Sequence, residues 1–151
     1  MRYVLIDRFL ELERGERARA VKCVTKGEPF VRDLPAYPAA LVLEGLLQTG
    51  GVLARSASGF KKMSVLGKVE RAEFPADARP GDRIMFDVKL TLSRPEATLC
   101  EGVATVDGTV VGKAKFMIVF LPPEMVPPPD PEVAQHRRNL MRALAIPTEE
   151  A

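Results

Sequence analysis

The stretch PAALVLEGLLQTGGVLARS, from Pro38 to Ser56, constrains the fold of this chain more than any other segment. Its apolar residues fall on nearly every face of a helix, and only Glu44 and Gln48, one turn apart, interrupt them on a shared side. A surface helix carries one apolar stripe, so this pattern calls for a central helix enclosed by other structure. Pro38 suits the first helical position, where its missing amide would have no partner anyway. Gly50-Gly51 inside the helix costs stability, which points to close helix-to-sheet packing.

The rest of the chain supplies the enclosure. Two extended runs, Tyr3 to Leu12 and Arg17 to Val24, flank the charged turn Glu13-Arg14-Gly15-Glu16 and read as a hairpin. Thr25 to Tyr37, with Gly27, Pro29 and Pro35, reads as a loop, and Met63 to Phe74 as an extended segment. Pro80-Gly81-Asp82 makes a turn before Arg83 to Ser93, where Ile84, Phe86, Val88, Leu90 and Leu92 alternate with more polar neighbours, the period of a strand. Glu96 to Val106 and Thr109 to Leu121 flank Asp107-Gly108, a pair that favours a type I′ hairpin turn. The expected class is therefore α+β, an antiparallel sheet wrapped around one central helix.

Between Pro122 and Pro131 there are six prolines in ten residues, which predicts a stiff, extended connector and ends the main domain, 1–121, near Leu121. In the remaining segment, 122–151, Asp130 and Pro131 suit the start of a short helix that ends before Pro147. Val133, Leu140, Met141 and Leu144 are expected on its apolar face, packed on the body or on a second subunit.

Composition narrows the function. A chain of 151 residues with 46% hydrophobic content can bury one sizeable core. Its 22 basic and 20 acidic residues leave a net charge of +2, which does not argue for a nucleic-acid partner. No metal-ligand spacing, nucleotide loop or flavin motif is present, so no metal or other cofactor is expected. Cys23 and Cys100 lie in apolar runs and are expected to be reduced core thiols. Ala39 to Leu47, the longest apolar stretch, contains Glu44 and is too short to span a bilayer, and the N-terminus is broken by charge. A soluble, cytoplasmic protein without a membrane partner is the expectation.

Glu44 is the first candidate for chemistry. Desolvation on an apolar helix should raise its pKa toward a range useful for proton transfer, unless the side chain reaches solvent or an arginine. Gln48 could orient it or bind a substrate oxygen.

The run Glu28-Pro29-Phe30, then Pro35, Pro38 and LVLEGLLQTGG from Leu41 to Gly51, resembles the catalytic-loop and central-helix region of the hot-dog 3-hydroxyacyl-(acyl-carrier-protein) dehydratases. LIDRFLELERGERARAVKCVTKGEPF, KVERAEFPADARPGDRIMFDVKL and VDGTVVGKAKFMIVF resemble that family's opening hairpin and later strands, so the similarity spans about Leu5 to Phe120. The resemblance implies a hot-dog fold; the proline-rich linker and short C-terminal helix lie outside it. It also implies a lyase that removes water from 3-hydroxyacyl thioesters in fatty-acid or polyketide metabolism.

In that family a loop histidine and a helix acid, brought together across a dimer, carry the reaction. Glu44 matches the acid and Gln48 the glutamine one turn later. The segment VRDLPAYP, by contrast, is shorter than the family's loop and holds no histidine; the single histidine, His136, lies in the tail. Dehydration needs one group to take the proton beside the carbonyl and another to help the hydroxyl leave. Asp33 and Tyr37 are the nearby polar residues that could substitute or contact substrate, the alternative being turn and capping roles.

Three readings stay open: a dehydratase-like enzyme with altered chemistry; a hot-dog thioesterase in which a lone carboxylate activates water; and a non-catalytic acyl-binding or partner subunit. Either enzyme reading implies an acyl thioester of acyl carrier protein or coenzyme A, a hydrophobic acyl tunnel between subunits and at least a homodimer; the third would pair with an intact dehydratase. Carrier proteins are acidic, so Arg55, Lys61 and Lys62, just after the helix, are candidates for carrier docking, against a bland reading as solvated loop charge.

Overall fold

The computed structural model describes residues 4–128 and 130–147. It contains β1 (Arg8–Glu13), β2 (Arg17–Cys23), α1 (Ala39–Ser56), β3 (Ser64–Glu73), β4 (Arg83–Ser93), β5 (Ala97–Val106), β6 (Thr109–Phe120) and α2 (Pro131–Ala143). The strands form one sheet in the order β1-β2-β4-β5-β6-β3, every neighbouring pair antiparallel. This sheet curls around α1, giving the α+β hot-dog arrangement anticipated from the sequence.

Local chemistry explains the turns. Gly15 adopts φ 71° between β1 and β2, and Asp107 and Gly108 take φ 47° and 81° in the β5–β6 turn, the paired positive values a type I′ hairpin requires. The first strand starts at Arg8, later than expected, and Tyr3 lies outside the described residues. Pro38 is the cap of α1 rather than its first helical residue: its ψ of 132° is extended, while its carbonyl accepts from the amides of Leu41 and Val42.

The core forms where α1 meets the concave face of the sheet. Val42, Leu46 and Leu53 of the helix and Ile84, Phe86 and Phe116 of the strands are all buried. Two glycines permit this approach. A Cβ on Gly45 would stand 2.3 Å from the ring of Phe86, and one on Gly50 would stand 2.6 Å from the ring of Phe116. Gly51 departs from the expectation, since a Cβ there would meet nothing within 4 Å. It faces away from the sheet.

Other expectations are corrected in the same way. The alternation in β4 holds from Ile84 to Val88 but fails at Leu92, which is 50% exposed, because the β4–β5 register shifts between Leu90 and Leu92. Cys100 is buried as expected, and burial raises its thiol pKa to about 12; Cys23, at the end of β2, is exposed and is not a core residue. The proline segment is interrupted by a 3₁₀ turn at Pro123–Met125.

Asp130 caps α2 by accepting from the amides of Glu132 and Val133. The helix then delivers Leu144 and Ile146 into the core, and the amide of Phe9 donates to the Leu144 carbonyl at 2.8 Å. Leu140 and Met141 pack against the same cluster, whereas Val133, 52% exposed, does not join the apolar face assigned to it. Among the described residues no helix is long and apolar enough to cross a membrane, and no group of three or more His, Cys, Asp or Glu side chains could hold a metal ion.

Candidate functional site

α1 sets the polar residues of the site. With Val42, Gly45, Leu46, Thr49 and Gly50 turned to the sheet, Glu44 and Gln48 are left on the flank of the helix, both half-buried. The Gln48 amide Nε2 donates to Glu44 Oε1 at 3.1 Å, and its Oε1 accepts from the Leu5 amide at 2.9 Å. Gln48 is thereby anchored to the segment preceding β1 and holds one carboxylate oxygen of Glu44. The enclosure expected of Glu44 is only partial in the single chain.

Tyr37 and Asp33, both from the loop before α1, part company. Asp33 is exposed. Tyr37 is 3% exposed, its amide donates to the Ala78 carbonyl at 2.7 Å, and its hydroxyl makes no hydrogen bond among the described residues. Burial, then the negative charges of Glu28 and Asp7, raises its phenol pKa. A phenol so placed stays protonated and is equipped to donate rather than to act as a base. Below it, buried Lys22 pairs with Glu28 at 2.9 Å, and Glu28 Oε1 also accepts from the Thr25 amide, which fixes the start of this loop.

At the other end of α1, Arg55 is half-buried: its Nε donates to the Lys62 carbonyl at 3.2 Å and its guanidinium lies 5.9 Å from the centre of the Phe60 ring. Its side chain is therefore less open than that of Lys61, which is exposed. Lys62, also exposed, donates to the Pro95 carbonyl and lies over the Phe120 ring, beside a groove of about 720 Å³ that continues along Leu121, Pro122 and Val126. A smaller pocket, about 250 Å³, runs between α1, the segment before β1 and α2, and is lined by Ile6, Phe9, Gln48, Gly51, Val52 and Leu140 among others. His136 is exposed on α2. Sequence reasoning missed Arg137 of that helix, whose Nη2 donates to the Phe60 carbonyl; nothing in its local sequence marks a contact across 77 positions.

Comparison with known proteins agrees with this architecture. The chain is 33% identical over 123 residues to a 3-hydroxyacyl-[acyl-carrier-protein] dehydratase FabZ from Caldanaerobacter subterraneus subsp. tengcongensis, covering 78% of this chain and 87% of that one. A second such dehydratase, from Solibacter usitatus, is 33% identical over 137 residues, covering 87% and 84%. Among solved structures, smu.793 from Streptococcus mutans, bound to acetyl CoA, superposes with a TM-score of 0.69 at 13% identity, covering 80% of this chain and 93% of that one. The dehydratase heterocomplex ApeI:P from Xenorhabdus doucetiae gives a TM-score of 0.66 at 16% identity, covering 89% of each chain. At these identities the structural likeness speaks for the fold. The family model for the FabA-like domain matches residues 1–115, so the helix carrying Glu44 and Gln48 lies wholly within the matched region, and the chain belongs to the FabA-like domain family.

Proposed function

We propose that the protein acts on 3-hydroxyacyl or enoyl thioesters of acyl carrier protein or coenzyme A, as a dehydratase-like enzyme of fatty-acid or polyketide metabolism whose chemistry is altered by the lack of a loop histidine. The observation that carries the reading is the Glu44–Gln48 pair on the central helix, with the amide of Gln48 fixing the carboxylate. In this role Glu44 takes the proton from the carbon beside the thioester carbonyl, and the electron pair left there forms the double bond as the hydroxyl on the next carbon takes up a proton and leaves as water. Gln48, besides orienting Glu44, is placed to meet a substrate oxygen. The Tyr37 hydroxyl, in the loop before α1, is the candidate source of that proton, and exposed Asp33 a candidate substrate contact.

A second copy completes the site in this reading. β3 is a ten-residue edge strand paired only with β6, and its apolar residues stand open, Val65 and Leu66 each 45% exposed. Such an edge invites pairing with another strand, and a homodimer formed along β3 would cover it and the half-open flank of α1. Sedimentation of the full chain as a monomer at micromolar concentration would count against this assembly.

A lone carboxylate also suits water activation, which favours a thioesterase as the competing reading. Mass spectrometry separates them. The protein is incubated with a medium-chain 3-hydroxyacyl carrier-protein thioester, following enoyl product and released acid, beside Glu44→Gln. Enoyl product that disappears in the variant supports the dehydratase reading; released acid supports the thioesterase; no turnover by folded protein overturns both and leaves an acyl-binding or partner role.

A further inference from the structure

We infer that Arg55 and Arg137 form an oxyanion site that holds the phosphate of a pantetheine arm, whether that arm belongs to a carrier protein or to coenzyme A. The inference rests on the thioester reading above for the identity of the ligand. The site itself rests on an imbalance of charge. Among the described residues, the buried Arg55 Nη2 has no hydrogen-bond partner and neither arginine has a carboxylate within ion-pair distance. Burial first, and then the charge of Arg137, lowers the Arg55 pKa to about 10. Two guanidinium groups set on one residue, with no carboxylate paired to either among the described residues, repel each other, and burial of Arg55 strengthens the effect. An oxyanion reaching the pair from the exposed Arg137 side would neutralise both and give Nη2 an acceptor once the Arg55 side chain turns toward it, and planar guanidinium forks are well suited to phosphate oxygens.

The platform under the pair is itself unusual. Phe60 takes φ 63°, a left-handed conformation that is uncommon and costly for a bulky residue. In that conformation its amide closes the end of α1 on the Arg55 carbonyl at 2.9 Å, its ring lies against the Arg55 guanidinium, and its own carbonyl receives Arg137 Nη2 at 3.3 Å. One strained residue therefore sets both arginines. Arg137 is exposed at the mouth of the site, Arg55 forms its floor, and exposed Lys61 adds positive charge beside it.

Position along the helix selects the ligand. Arg55 lies eleven residues after Glu44 on the same helix, a rise of about 16 Å. That span is comparable with the reach of an extended pantetheine arm from its phosphate to its sulfur. A phosphate at Arg55 would let the thioester arrive beside Glu44. Between them lie Gln48 and the open space at Gly51, where a Cβ would meet nothing.

The test is calorimetric titration of the full chain with 4′-phosphopantetheine, pantetheine and inorganic phosphate, for the native protein, Arg137→Gln and the control Arg138→Gln. Arg137 is exposed, so its replacement leaves the fold intact; circular dichroism checks this. The expected result is that phosphopantetheine binds roughly tenfold or more tighter than pantetheine, that Arg137→Gln removes most of this difference, and that Arg138→Gln keeps it. Inorganic phosphate should compete with phosphopantetheine. Coenzyme A and a phosphopantetheinylated carrier protein, compared in the same way, tell which source is preferred. Equal binding of pantetheine and phosphopantetheine, or an unchanged preference in Arg137→Gln, overturns the proposal. Turnover without phosphate preference would remove this site and keep the thioester reading; phosphate preference without turnover would do the reverse.

Discussion

The first half of α1 carries Glu44 on a half-open flank, whereas the second half, from Gln48 to Arg55, runs beneath the tail residues Leu140 and Leu144. Both halves use glycine to approach the sheet, at Gly45 and at Gly50. They differ on the side turned away from it. The first half relies on whatever joins the chain there, a substrate or a second copy. The second half is completed by the chain's own C-terminus, which returns to place Leu144 and Ile146 in the core. On the proposed reading one helix separates a place for chemistry from a place for binding, and each half can be tested without the other.

The largest effect is expected in the first half. Glu44→Gln keeps the shape and a hydrogen bond to Gln48 but removes the base, so turnover should fall by about 10²–10⁴-fold, with unfolding free energy within about 0.5 kcal/mol of the native protein. A steady-state assay beside urea denaturation measures both. Leu144→Ala addresses the second half: loss of a buried leucine should cost about 2–3 kcal/mol by denaturation and loosen α2 as judged by amide exchange. A tail that is merely adjacent would give almost no change.

Smaller effects separate the two faces of the helix. Gly45→Ala puts a methyl group into the Phe86 ring, and shifting that enclosed side chain should cost about 1–3 kcal/mol. Gly51→Ala, on the open side, should stabilise the free protein by about 0.5–1 kcal/mol, because alanine is the better helix former and its methyl meets nothing. If an acyl chain or pantetheine arm runs past Gly51, the same substitution should weaken its binding. Opposite signs in two glycines of one helix would establish which face the sheet occupies.

Much of this architecture was legible in the sequence because it is local. The all-round apolar pattern of Ala39 to Ser56 states that the helix is enclosed, and Asp107-Gly108 dictates its turn through backbone conformation alone. Glu44 and Gln48 were legible as neighbours for the same reason, being one helical turn apart. What escaped depends on contacts distant in sequence. The β4–β5 bulge that turns Leu92 outward requires knowledge of the partner strand, and the exposure of Cys23 follows from its place at the end of β2. Gly50-Gly51 reads as one feature in the sequence, yet only Gly50 meets an aromatic ring. That Arg55 and Arg137 both meet Phe60 was invisible because it depends on the returning tail and on a left-handed Phe60, which no residue preference announces.

The central claim, that Glu44 moves the proton beside a thioester carbonyl, is tested most directly in the hydration direction. The protein is given a medium-chain enoyl carrier-protein thioester in deuterium oxide, and the position of label in the product is read by NMR. The account requires a 3-hydroxyacyl thioester with deuterium on the carbon next to the carbonyl, formed by the native protein and lost in Glu44→Gln. Deuterated product formed equally by the variant, or free acid in place of the hydrated thioester, would contradict it.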